Sequence, residues 1–223
     1  LPVEQIAALC RRRGVPLILD ASQSAGALPV SLKQTGAAFI AMPGHKGLYG
    51  PQGTGLLLCA GPALPLMEGG TGSESRNQSM PGFLPDRLEA GTHNMAGVAG
   101  LLEGLRFVKL RGTAAIGAHE RQLAARMGEG LAGIPGIQAF RAADPADQMG
   151  ALSFRAAGED CEELCGLLDD MGFALRAGLH CAPLAHTTAG TLETGTVRAS
   201  VSAFTTVKEA ERFIRAVRAV MDR

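Results

Sequence analysis

Lys46 has the most unusual surroundings of any reactive residue in the chain. It lies in Gly44-His45-Lys46-Gly47, after the apolar run Ala37 to Met42, and is trailed by Gly50-Pro51-Gln52-Gly53-Thr54-Gly55. Glycine at that density lets the backbone approach a ligand closely. A single loop lysine is ordinarily a solvated charge, so its company has to decide. A Walker phosphate loop is excluded, because that motif needs the lysine just before Ser or Thr and Lys46 precedes Gly47. Upstream, Asp20 ends the apolar run Val15 to Leu19, and Gln23 follows it closely. Open α/β sheets bind ligands beyond the carboxyl ends of their strands, which lets Asp20 and Lys46 face one crevice. A lysine that forms a Schiff base and an aspartate that pairs with a pyridinium nitrogen are what pyridoxal 5'-phosphate requires.

A second set of reactive residues lies in the C-terminal half. Cys181 is flanked by His180 and followed by Ala182-Pro183, in a glycine-containing loop after Arg176. A single cysteine is by default buried and inert, whereas a loop with neighbouring His and Arg favours a nucleophilic thiolate. Arg198 lies at the start of an apolar strand, where a guanidinium can grip a carboxylate through paired hydrogen bonds; the plainer role is a surface ion pair. Zinc is the alternative for His180, Cys181 and His186, or for Cys161 and Cys165 at i, i+4. No CxxC pair exists and the two clusters fall on separate elements, so no metal is expected. Cys161, Cys165, Cys10 and Cys59 read as core.

The elements that must position these groups follow from the pattern. The 223 residues carry 21 Lys+Arg against 21 Asp+Glu and are 46% hydrophobic, which is ample for a core and excludes disorder. A zero balance with no long basic run leaves no footprint for nucleic acid or an anionic membrane. The most apolar stretches are far shorter than the roughly 20 residues of a membrane span. Thirty Gly and 12 Pro against nine aromatics point to an α/β fold with many tight turns. Five cysteines at irregular spacing fit a reducing compartment, so a cytoplasmic location is expected. Strands are predicted at Val15 to Asp20, Ala37 to Met42 and Leu56 to Cys59, the first buried on both faces. Pro62 to Asn94 reads as a long functional loop. Helices follow over Met95 to Leu110 and Ile116 to Leu131. The remainder alternates as a small α+β domain, with strands at Ile137 to Phe140, Ala151 to Phe154, Ala174 to Arg176 and Val197 to Val201. Its helices fall at Asp160 to Met171 and Val207 to Met221. The predicted domains are therefore 1–110, including the loop 62–94, and 111–223. The opening Leu1-Pro2, without an initiator Met or a signal-peptide pattern, reads as the middle of something longer.

Six ordered motifs carry a resemblance: Asp20-x-x-Gln23, Gly44-His45-Lys46, Gly50-Pro51-x-Gly53-x-Gly55, Glu89-Ala90-Gly91-Thr92-x-Asn94, Arg176-x-Gly178-x-His180-Cys181 and Val197-Arg198-x-Ser200. Together they resemble the class V aminotransferases, in particular cysteine desulfurases of the SufS and selenocysteine lyase type. The resemblance implies a fold-type I pyridoxal-phosphate enzyme, with part of the large sheet domain plus a small C-terminal domain. It implies Lys46 as the Schiff-base lysine and proton shuttle, Asp20 on the pyridine nitrogen, Gln23 on the ring's phenolic oxygen and His45 at the phosphate. Thr92 would reach the phosphate of the other subunit, which makes a homodimer with shared sites. In a monomer, Thr92 would instead cap the helix beginning near Met95. Arg198 would take the substrate α-carboxylate, and Cys181 would take the sulfur of L-cysteine or L-selenocysteine and pass it to an acceptor protein. A transaminase or epimerase would use Lys46 but not Cys181, and a truncated silent subunit would use neither. Leu179 and Thr205 depart from the His and Asn common in the nearest desulfurases. In that family the ring-stacking residue and the phosphate-binding helix precede the first motif, so weak cofactor occupancy is expected of this chain alone.

Overall fold

The computed structural model describes residues 1–223, which divide into two compact units, Leu1–Ala114 and Ala115–Arg223. Unit 1 opens with helix α1 (Val3–Arg13). Three arginines in its last turn complement the carbonyl end of the helix dipole, and Gly14 closes it at φ 62°. Strand β1 (Ile18–Asp20) leads through a turn to the short helix α2 (Leu32–Thr35), which the sequence pattern does not announce, and then to β2 (Phe39–Pro43) and β3 (Gly55–Cys59). The sheet order is β1-β2-β3. β1 runs parallel to β2 with Asp20 opposite Ala41, whereas β3 returns antiparallel, so the sheet is mixed.

The strand predicted over Val15 to Asp20 is shorter than expected and is not buried on both faces. β1 pairs on one side only, and Ile18 is 68% exposed. The long segment after β3 forms turns and a single 3₁₀ turn at Asp86–Leu88 before helix α3 (Met95–Arg111). Asn94 caps α3, its side chain accepting from the Gly97 N–H at 3.0 Å, so Thr92 has no capping role. The core is small: Ala21, Ala25, Ala37, Ile40, Met42, Leu48 and Leu101.

Unit 2 takes most of helix α4 (Thr113–Ala132), then β4 (Ile137–Phe140), β5 (Ala151–Ala156), helix α5 (Cys161–Asp170), β6 (Arg176–Gly178), helix α6 (Pro183–Ala189), β7 (Thr196–Ser200) and helix α7 (Val207–Met221). Its sheet order is β4-β5-β7-β6, antiparallel throughout. β6 lies two residues beyond the predicted Ala174 to Arg176, and α6 occupies a stretch read as loop. Pro183 at the first helical position and Gly190 just past the end, at φ 67°, give α6 its start and stop. Thr206 and Glu209 form a capping box on α7. The other helix faces meet the sheet around Phe154, whose ring meets Phe213 edge-on at 5.9 Å.

Candidate active site

In unit 1 the first two strands deliver their reactive residues to adjoining turns. Asp20 ends β1, and the chain turns at once, with Ser24 and Ala25 N–H groups donating to the Ala21 carbonyl. The Ser22 N–H donates to Asp20 Oδ1 at 2.8 Å, the local Asx turn that Asp favours. The Ser22 hydroxyl first, and its amide second, hold the Asp20 carboxyl below its ordinary value; the Lys46 charge pulls the same way and partial burial opposes. Asp20 is therefore a committed anion.

The loop after β2 is closed on itself. Gly44 N–H donates to the Thr54 carbonyl at 2.8 Å, Gly50 N–H to Gly44 at 2.7 Å and Tyr49 N–H to Lys46 at 3.0 Å. It lies backbone against backbone on the turn that follows Asp20. A Cβ at Gly26 would collide with the Gly47 carbonyl, and one at Gly47 with the Ala25 carbonyl. Only glycine fits either position, and this contact fixes the Lys46 turn against the Asp20 turn. Lys46 itself is exposed and has neither ion pair nor hydrogen bond on its ammonium group. Gln23 and His45 are exposed on the same two turns. A groove of about 870 Å³ is lined by Asp20 and Ser22 together with Met42, Leu56, Leu58 and Leu84; Lys46 is not among its walls. Thr92 is exposed in the segment before α3, and no contact joins it to the other four.

In unit 2, Arg198 on β7 stands directly opposite Arg176 on β6 and Ser153 on β5. Two cations facing each other across an antiparallel pair repel. No carboxylate pairs with either, and the Arg198 Nε is buried without a partner. Arg176 is exposed and solvated, so the buried Arg198 Nε is the group of the pair left without a partner.

Cys181 is exposed on the turn after β6. Ala182 N–H donates to the Leu179 carbonyl at 2.9 Å, closing a β-turn whose central residues are His180 at φ 52° and Cys181 at φ 60°. Two positive φ values mark a type I′ turn, which ordinarily carries Asn-Gly. Holding side chains with a Cβ there costs about 1–2 kcal/mol per residue. The chain has three non-glycine residues at positive φ, and the third is Tyr49, in the Lys46 loop. Backbone strain thus falls in the two reactive loops and nowhere else outside glycine.

The His180 ring points inward, its Nε2 lying 3.1 Å from the Thr196 carbonyl and 3.2 Å from the Thr196 hydroxyl. Burial, then the Arg198 charge, hold His180 below the ordinary imidazole value against the opposing Thr196 carbonyl, with His186 and Arg176 adding to the shift. The ring beside Cys181 is therefore neutral, and the cationic neighbour the sequence offers is Arg176. Cys161 is buried on α5 and Cys165 packs against the same core, where burial, with Asp169 and Cys161 adding, pushes the Cys165 thiol up.

Sequence reasoning missed Ser22, Tyr49, Thr191 and Thr196. Ser two residues after Asp is a readable Asx-turn signal. A buried threonine has none.

The family model for "Aminotransferase class-V" matches residues 1–213. The chain is 36% identical to a probable cysteine desulfurase of Mycolicibacterium paratuberculosis, over all of this chain and 33% of that protein. It is 35% identical to the cysteine desulfurase CsdA of Escherichia coli, over 92% of this chain and 51% of that protein. The apo structure of a cysteine desulfurase from Thermococcus onnurineus NA1 superposes with a TM-score of 0.89 at 29% identity, over 99% of this chain and 56% of that one. The chain belongs to the class-V aminotransferase family, and its fold is part of the fold-type I pyridoxal-phosphate architecture. It spans between a third and just over half of the length of these relatives.

The unit 1 residues fit the family's cofactor. A carboxylate held anionic suits a pyridinium nitrogen, an amine without a partner is free for a carbonyl, and the Gly26–Gly47 contact sets the two turns side by side.

Proposed function

We propose that the protein is a cysteine desulfurase that converts L-cysteine to L-alanine and takes the sulfur onto Cys181. The observation that carries this reading is the strained turn that leaves Cys181 exposed in a chain that also has a free Lys46 beside an anionic Asp20. A transaminase or epimerase has a use for the second feature and none for the first.

Asp20, Gln23, His45 and Lys46 would hold pyridoxal 5'-phosphate, Asp20 toward the ring nitrogen, Gln23 toward the phenolic oxygen, His45 toward the phosphate and Lys46 through its amine. When bound, the cofactor supplies an electron sink for the pair left on the substrate α-carbon. Lys46 takes the α-proton and returns one. Arg198 receives the substrate carboxylate, a role supported by its unpaired Nε and by the facing Arg176, which no acid neutralises. The Cys181 thiolate attacks the substrate sulfur. An S–S bond forms as the C–S bond breaks, the electron pair passes to the carbon, a proton is added there, and alanine leaves. The persulfide is then released to an acceptor thiol, which closes the cycle.

The working form in this reading is a cytoplasmic homodimer. The segment 62–94 exposes Leu64, Leu66, Met67, Phe83 and Leu84, more apolar surface than a loop keeps in water, and Thr92 in the same segment reaches the partner's phosphate site. L-selenocysteine would engage the same residues.

The test uses the full-length protein with L-cysteine and a reducing thiol. Alanine and sulfide should appear in equal amounts, and Cys181→Ala should abolish persulfide while leaving the absorption change on adding cysteine intact. Unimpaired alanine release by Cys181→Ala would overturn the reading in favour of another class-V activity.

A further inference from the structure

Three polar residues of the chain are buried: His186 at 7% exposure, Thr191 at 1% and Thr196 at 2%. All three lie behind the Cys181 turn. Thr196, on β7, meets the His180 Nε2 through both its carbonyl and its hydroxyl. The His186 ring, on α6, is 5.8 Å from the His180 ring, and its Nδ1 lies 2.8 Å from the Thr191 hydroxyl. A carbonyl only accepts, so the His180 proton sits on Nε2 and its buried Nδ1 carries a lone pair without a partner.

Buried polar groups are costly and are kept where they specify a geometry. Here the geometry to be specified is plain, because a two-residue turn at positive φ with His and Cys at its centre persists only if its surroundings over-determine it. The one side chain of that turn that faces inward is His180, and every buried polar residue of the chain lies around it.

Building on the desulfurase reading, we infer that His180 is a positioning residue for Cys181. Its ring, tied to Thr196 and backed by His186 and Thr191, holds the turn that aims the thiol at the substrate sulfur. It neither activates the thiol nor takes a proton in the reaction. A nucleophile displaced by about 1 Å loses on the order of 100-fold in rate while its intrinsic reactivity is unchanged, and that separates positioning from activation.

The test is made in the full-length holoenzyme with His180→Asn and His180→Gln. Asn tolerates a positive φ better than His, so the turn stays folded, but its amide is too short to reach Thr196. Gln places an N–H where Nε2 stood. His180→Asn should slow persulfide formation on Cys181 by about 10- to 100-fold with KM for cysteine within about twofold. Alkylation of Cys181 by iodoacetamide, which reaches an exposed thiol from any direction, should stay within about twofold. His180→Gln should recover most of the lost rate. An unchanged rate in His180→Asn overturns the proposal, as do alkylation and persulfide formation falling together, or failure of His180→Gln to recover. Cys181→Ala runs alongside: if it still releases alanine at the unmutated rate, the desulfurase reading has failed, whatever His180 does.

Discussion

The turns that carry Asp20 and Lys46 meet backbone against backbone, and the Cys181 turn is tied down by a buried side-chain network. In unit 1 two glycine-bearing turns abut, the Lys46 amine stands free while Asp20 accepts from the Ser22 amide, and the core has seven buried residues. In unit 2 seventeen buried residues surround the sheet, and the turn is tied into it by His180. A loop that must admit a flat cofactor gains from glycine, which leaves no side chain in the way. A single nucleophile that must meet one atom of a small substrate gains from a rigid support. The contrast matches the division of chemistry proposed above, with carbanion formation assigned to unit 1 and sulfur capture to unit 2.

The largest expected effect breaks the comparison at unit 1. Lys46→Ala removes the group assigned above to the α-proton, and turnover should fall by about 10³-fold or more. Borohydride reduction of the unmutated holoenzyme should fix a pyridoxyl group on Lys46, seen by peptide mass. An adduct on Lys33, Lys109 or Lys208 instead would remove the role given to Lys46. At unit 2 the counterpart is Arg198→Ala, which should weaken cysteine binding by about 2 to 4 kcal/mol, read as a raised KM. If KM is unmoved, the carboxylate binds elsewhere.

Stability should divide along the same line. Phe154 is fully buried among aromatic and aliphatic neighbours, and Phe154→Ala should cost about 3–5 kcal/mol in denaturant unfolding. Gly47→Ala tests the backbone contact of unit 1. Its Cβ meets a carbonyl that cannot rotate away, so a loss of about 1–3 kcal/mol is expected, together with weaker cofactor binding. A neutral Gly47→Ala would mean that the contact does not fix the two turns.

What could be read in advance follows the same division. The turns that carry Asp20 and Lys46 were legible because strands β2 and β3 are clean apolar runs and the glycines between them mark the loop. The final helix, Val207–Met221, was readable to the residue from its 3.6 period. Burial of Val15 and Ile18 was misjudged, since an apolar run does not say whether a strand has one neighbour or two. The helix at Pro183–Ala189 was missed because its His and Thr residues have weak helical preference. The His180–Thr196 tie joins residues sixteen apart through a sheet register, and no local pattern encodes that.

The smallest effect tests a side chain that supports Asp20. Ser22 holds Asp20 ionised through its hydroxyl and its amide, so Ser22→Ala removes the first of these and keeps the second. The Asp20 carboxyl should then titrate closer to its ordinary value of 3.8, measured by carbon-detected NMR of the side chain. The sign follows from linkage. A depressed folded value means that Asp20 contributes stability fully above 3.8 and loses it as pH falls through the lower folded value. Ser22→Ala should therefore slightly reduce stability at neutral pH and flatten the acid limb of the unfolding curve, without moving the neutral-pH cofactor spectrum. Asp20 is too exposed for the change to be large. An Asp20 titration that does not move would mean that the Ser22 amide, and not its hydroxyl, accounts for the lowered value.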